Sequence, residues 1–159
     1  MAYGTVLQEQ RKALHEQTAR AMEQIYKDQL EEHSDELAQH YQRISNAEKA
    51  ITYLQLAGQQ AVQRSANEEA VLHFTTAIAL LQTLPDTPER DQRELALHVA
   101  LGGPLMVTKG FAAPEVEKVY LRARELCGQL GNASELFPTL WGLWAFYVTR
   151  DEHKTAHDA

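Results

Sequence analysis

Three placements of histidine, carboxylate and thiol in this 159-residue chain could support chemistry. His33 and His40 stand seven residues apart with Asp35 and Glu36 between them, and a His–carboxylate pair can pass protons as general acid and base. No nucleophile motif accompanies them. His40, next to Tyr41, also reads as a half-buried, hydrogen-bonded ring at a helix–helix seam, and that reading is taken here. His153 and His157 are four apart, with Asp158 beside them, a spacing that could hold a divalent metal. They sit in a polar terminal segment, residues 150–159, that is predicted to fray and to lack groups that would orient the imidazoles. Cys127 lies three residues after Arg124, which could activate a thiol, but its place on an apolar stripe reads as a small buried hydrophobe. Arg11, Lys12 and Arg20 alternate with Glu9, Glu16 and Glu23, a mixed solvated face rather than a basic patch. No catalytic, cofactor-binding or metal-binding residue is assigned.

The elements that would carry these groups are helices. Residues 5–30 place Leu7, Leu14, Met22 and Ile25 on one stripe. Ser34, Asn46 and Asn67 each stand where an N-cap belongs, before apolar-periodic segments carrying Leu37 and Tyr41, then Ile51, Leu54 and Gly58, then Phe74, Ala77 and Leu81. Thr87-Pro88 reads as cap and first residue of a fifth helix, which Gly102-Gly103-Pro104 should kink or end early. Pro114 opens a sixth, closed by Gly131 at C′. A seventh covers roughly 134–149, with Trp141, Trp144 and Tyr147 on the face expected to pack against helix six and Phe146 pointing elsewhere. No segment alternates as a strand does. The predicted fold is all-α: an array of antiparallel helix hairpins, a tetratricopeptide-like α-solenoid of about seven helices. Residues 1–32 form an N-terminal helical junction, 33–149 the repeats, and 150–159 the tail.

Composition narrows the function. Apolar residues make up 44%, enough for a core, and the formal charge of −7 disfavours a general binder of nucleic acid or anionic membrane. A single cysteine cannot form an internal disulfide and suits a reducing cytoplasm. The N-terminus has no basic-then-apolar signal pattern, and no run approaches the ~20 apolar residues of a membrane span.

The repeat signature is specific. Gly58, Ala70, Phe74 and Ala77 follow at spacings of 12, 4 and 3, the tetratricopeptide order of a small residue, then Ala, an aromatic and Ala. The two small residues let helix backbones approach, and Phe74 fills the space between hairpins. A looser second unit holds Gly102, Tyr120 and Ala123. Ala77 and Ala123 are 46 residues apart, longer than the standard ~34-residue period, so the array is degenerate. An ordinary helical bundle is the rival reading.

Two stretches go further. One runs Leu56-Ala57-Gly58-Gln59-Gln60-Ala61-Val62-Gln63-Arg64-Ser65-Ala66-Asn67-Glu68-Glu69-Ala70. The other joins Thr83-Leu84-Pro85-Asp86-Thr87-Pro88-Glu89-Arg90 to Ala112-Ala113-Pro114-Glu115-Val116-Glu117, and ends in Arg124-Glu125-Leu126-Cys127 and Leu140-Trp141-Gly142-Leu143-Trp144. They resemble the C-terminal helical region of large bacterial signalling ATPases, which often carry a class III adenylate/guanylate cyclase domain, a P-loop ATPase module and then a tetratricopeptide-like array. The likeness covers about residues 2–150. It implies a fragment whose catalytic domains lie upstream, because no G-x-x-x-x-G-K-[ST] loop is present.

The expected function is therefore a non-catalytic protein-interaction scaffold in cytoplasmic signal transduction, without cofactors. Its partners would be a protein, a peptide or neighbouring domains of the parent, with neither nucleic acid nor membrane. Gln59, Gln60 and Gln63 are the groove candidates, and self-association is expected through an uncapped C-terminal end. The alternative is that the family label, adenylate cyclase or ATP-binding protein, applies through activity in the absent upstream domains. A DNA-binding regulator is a third possibility, which the charge disfavours.

Overall fold

A computed structural model describes the backbone of residues 2–131 and 134–157 and the side chains of residues 4–131 and 134–150. Among the described residues seven helices follow one another: α1 (Ala2–Ile25), α2 (Ser34–Arg43), α3 (Ala47–Gln63), α4 (Asn67–Leu81), α5 (Pro88–Lys109), α6 (Pro114–Leu130) and α7 (Leu136–His157). Among the described residues there is no strand. Each helix packs on the next, and the connections are short, which makes successive helices hairpin partners. Beyond these pairs, the backbones of α3 and α5 and of α5 and α7 approach each other, whereas among the described residues those of the even-numbered helices stay apart, with α2 and α4 linked only at Asp35 and His73, 3.8 Å apart.

Several boundaries differ from the sequence expectation. The first helix ends at Ile25 rather than near residue 30. Tyr26 leaves it and stacks on His33 at 3.7 Å, and a Gln29 N–H bond to the Tyr26 carbonyl turns the chain back toward α2. Ser34 and Asn67 are not caps. Each begins its helix, after His33 and Ala66, and their side chains bond the Glu31 and Ser65 carbonyls instead. Asn46 and Thr87 do cap, accepting from the N–H of Lys49 and of Arg90. Gly102-Gly103-Pro104 does not end α5, which continues to Lys109. Leu101, Gly102, Pro104, Leu105 and Met106 are all buried there, and this burial outweighs the one backbone bond that Pro104 cannot make. Helical backbone also runs past residue 149, where the helix was expected to stop, to His157; no glycine or proline interrupts residues 149–157.

The links α2–α3 and α3–α4 are built alike. Ser45 and Ser65 both take the left-handed conformation at φ 60°. Asn46 N–H bonds the Tyr41 carbonyl and Ser45 N–H that of Gln42; Ala66 bonds Ala61 and Ser65 bonds Val62 in the same way. These are paired Schellman closures with serine where glycine is usual.

The core is continuous from Ala19 and Met22 of α1 through Leu37, Ile51, Phe74, Leu97 and Tyr120 to Phe146 of α7. Two glycine–aromatic contacts organise it. A Cβ on Gly58 would lie 2.6 Å from the Phe74 ring, and one on Gly102 would lie 2.2 Å from the Tyr120 ring. Ala70, Ala77 and Ala123 are fully buried on the same helices as these rings. Gly142 of α7 closes on Tyr120 as well, its Cβ position being 2.3 Å from the ring.

That contact decides which way α7 faces and overturns the aromatic assignment. With Gly142 on Tyr120, the buried stripe is Thr139, Gly142, Leu143 and Phe146. Phe146, expected to point away, is buried. Trp141 and Trp144, expected in the core, are 50% and 61% exposed. Tyr147 lies at the edge, its hydroxyl donating to Glu117.

Candidate functional site

Because the backbones of α4 and α6 stay apart, a groove of about 540 Å³ opens between them over α5. Helical spacing alone places its lining. Glu94, His98, Leu101 and Leu105 recur every three or four residues along α5 and make the floor. Val71, Thr75 and Ile78 form the α4 wall, and Lys118, Val119 and Arg122 the α6 wall. The middle is aliphatic and the ends are charged.

The polar end of the floor is a buried ion pair. The Glu94 side chain is only 3% exposed and accepts from Arg122 through Nε (2.7 Å) and the terminal nitrogen (3.2 Å). Burial alone would raise the Glu94 carboxyl, but the Arg122 bonds outweigh it and hold the group below its ordinary range. The same bonds, against a smaller effect of burial, raise Arg122 further and fix its charge. His98 lies one turn on, with Nε2 3.6 Å from the Glu94 carboxylate, too long for a hydrogen bond. Burial pushes the imidazole down against the pull of Glu94, so at neutral pH it is uncharged. Its Nδ1 is buried without a hydrogen-bond partner among the described residues. The arrangement can hold an apolar side chain over Leu101 and Leu105.

No family model matches the chain, and no solved structure matches it. An uncharacterized protein of Rhizobium meliloti (strain 1021) is similar at 27% identity over 158 residues, 98% of this chain. The chain spans 15% of that relative's length.

The other residues singled out by type and spacing scatter over the fold. Gln60 lines a second groove, between α2 and α4 over α3, together with Asp35 and His73; Gln59 and Gln63 are exposed outside it. His33 and His40 have separate partners: His33 stacks on Tyr26, and His40 faces His15 of α1, Nδ1 to Nδ1 at 2.9 Å. Cys127 is buried with Leu95, Ala123 and Leu126. The side chains of His153 and His157, and all of Asp158, lie outside the described residues. Among the described residues no cluster of three metal-ligating side chains occurs, and no helix is long and apolar enough to cross a membrane.

Sequence reading missed Glu94, His98 and Arg122, because a buried ion pair between residues 28 apart on two helices leaves no local pattern. It also missed a network around Glu23 of α1. Tyr53 donates to Glu23 at 2.7 Å, Lys49 at 2.7 and 2.8 Å, and Lys49 also reaches the Tyr41 hydroxyl. Burial would raise the Glu23 carboxyl, but these bonds hold it low; burial and the carboxylate together push the Tyr53 hydroxyl up. The network ties α1 to α2 and α3.

Proposed function

We propose that this chain is a non-catalytic scaffold of tetratricopeptide-like hairpins whose α4–α5–α6 groove holds a segment of a partner protein. The groove carries the reading: an aliphatic trough with a fixed ion pair at one end is suited to an apolar anchor beside a polar one. The ordering of the helices supports it. The backbones of α3, α5 and α7 approach one another in turn while those of α4 and α6 stand apart, as in a stack that bends and opens gaps on one side. The matching Gly58–Phe74 and Gly102–Tyr120 contacts supply the hairpin repeat. In a longer protein of the kind whose helical region this chain resembles, such a stack would bring a partner to a signalling ATPase or cyclase module, and the chemistry would belong to that module.

A photo-crosslinking residue at Thr75, an exposed groove position, tests the reading in cells. One discrete adduct is expected from Thr75 and none from the remote exposed position Gln24, and Lys118→Glu should weaken the adduct. Equal labelling from both positions would sink the groove. ATP hydrolysis or cyclic-nucleotide formation by the purified chain would sink the non-catalytic assignment.

A further inference from the structure

A third, open cavity, of about 710 Å³, lies where the middle of α1 meets the C-terminal end of α2. It is lined by Gln8, Arg11, Lys12, His15 and Arg43, and by no acid. In a chain of net charge −7 this is a local reversal of sign. Of the nearby carboxylates, Glu16 pairs with Arg20 at 2.6 Å, Glu23 with Lys49 at 2.7 Å and Glu36 lies near His33, while Glu9 lines the neighbouring depression beside Lys12. Arg11, Lys12 and Arg43 have no carboxylate partner among the described residues. The Schellman closure at Ser45 and Asn46 covers the Tyr41 and Gln42 carbonyls, which removes acceptors that would repel an anion there.

The fold brings these groups together. Arg11, Lys12 and His15 share one side of α1, and Arg43 comes from the last turn of α2, its guanidinium 3.5 Å from His15 Nε2. His15 Nδ1 meets His40 Nδ1, so one of the two rings must donate to the other. That contact holds the His15 ring with Nε2 on the Arg43 side. Two guanidinium groups and an ammonium then border one space, with the His15 Nε2 accepting from Arg43 at its edge.

We propose that this cavity binds a dianionic phosphoryl group. Two guanidinium groups match the paired oxygens of a phosphate, which a monovalent carboxylate would use less fully. The volume exceeds one phosphate and leaves room for the body that carries it. The site is separate from the α4–α5–α6 groove, and either can stand without the other.

Inorganic phosphate titrated into the isotopically labelled chain, at neutral pH and constant ionic strength, tests this by NMR. Saturable shifts are expected at Gln8, Arg11, His15 and Arg43, with acetate and chloride giving none that saturate. Arg43→Ala should weaken binding about tenfold. Lys27→Ala, an exposed cation elsewhere, should leave it unchanged. Circular dichroism confirms that both variants fold. Either O-phosphoserine or tripolyphosphate should bind more tightly than phosphate, and the tighter one identifies a phosphomonoester or a polyphosphate as the source. Non-saturating shifts, equal loss in Lys27→Ala and Arg43→Ala, or no gain from either larger ligand would overturn the proposal.

Discussion

At the scale of single residues, glycines divide by what a methyl group would meet. The Tyr120 ring is held between Gly102 and Gly142 and cannot yield, so Gly102→Ala should destabilise the fold by about 1–3 kcal/mol. Gly128, inside α6 with open space around it, should behave oppositely: Gly128→Ala should stabilise by about 0.5–1 kcal/mol through helix propensity. Urea unfolding of the two variants checks the contrast. The left-handed serines offer a second test. An L-residue at φ 60° costs roughly 1–2 kcal/mol, and glycine's added chain entropy returns part of that. Ser65→Gly should therefore raise stability by about 0.5–1 kcal/mol, measured by the same unfolding curve. Of these sites, Gly58 and Gly102 were legible in the sequence from their spacing to an aromatic. Gly142 and the two serines were not, because their conformations and contacts depend on how neighbouring helices meet.

At the scale of helices, the buried charges set the response to acid. Glu23 and Glu94 have folded pKa values below the ordinary 4.5, and His40 and His98 below the ordinary 6.5. In each case the unfolded chain binds the proton first as pH falls, so stability is lost on acidification. A first decline is expected below 6.5 from the histidines and a steeper one below 4.5 from the carboxylates, followed by thermal unfolding across the acid range. Glu23→Gln should flatten the lower step. The α5–α6 contact is the most sensitive to loss of a partner. Arg122→Ala leaves the Glu94 carboxylate buried and unpaired, and should cost about 3–5 kcal/mol by chemical denaturation. The double variant Glu94→Leu with Arg122→Ala should recover much of it, because no uncompensated charge then remains.

At the scale of the whole molecule, turning α7 onto Tyr120 leaves a stripe on its outer side. Phe137, Leu140, Trp141, Trp144 and Val148 recur at helical spacing and are 37–77% exposed. An apolar stripe of this kind favours association in water. Light scattering of the chain should show mass rising with concentration, and Trp144→Ser should suppress the rise with the fold intact. A clean monomer at high concentration would contradict the expectation.

The number of helices, most of their limits, the capping roles of Asn46 and Thr87 and the absence of strands among the described residues follow from the sequence, because they rest on periodicity, proline and local hydrogen bonding within a few residues. The two glycine–aromatic units are expected from the repeat pattern rather than from local bonding, since each spans two helices. Tertiary structure alone decided the rest. Which face of α7 is buried depends on where Gly142 meets Tyr120. The grooves exist because even-numbered helices stand apart. Glu94 finds Arg122, and Arg43 joins Arg11 and Lys12, only after distant helices pack, and charge pairing over such sequence separations has no local signature in the order of the residues.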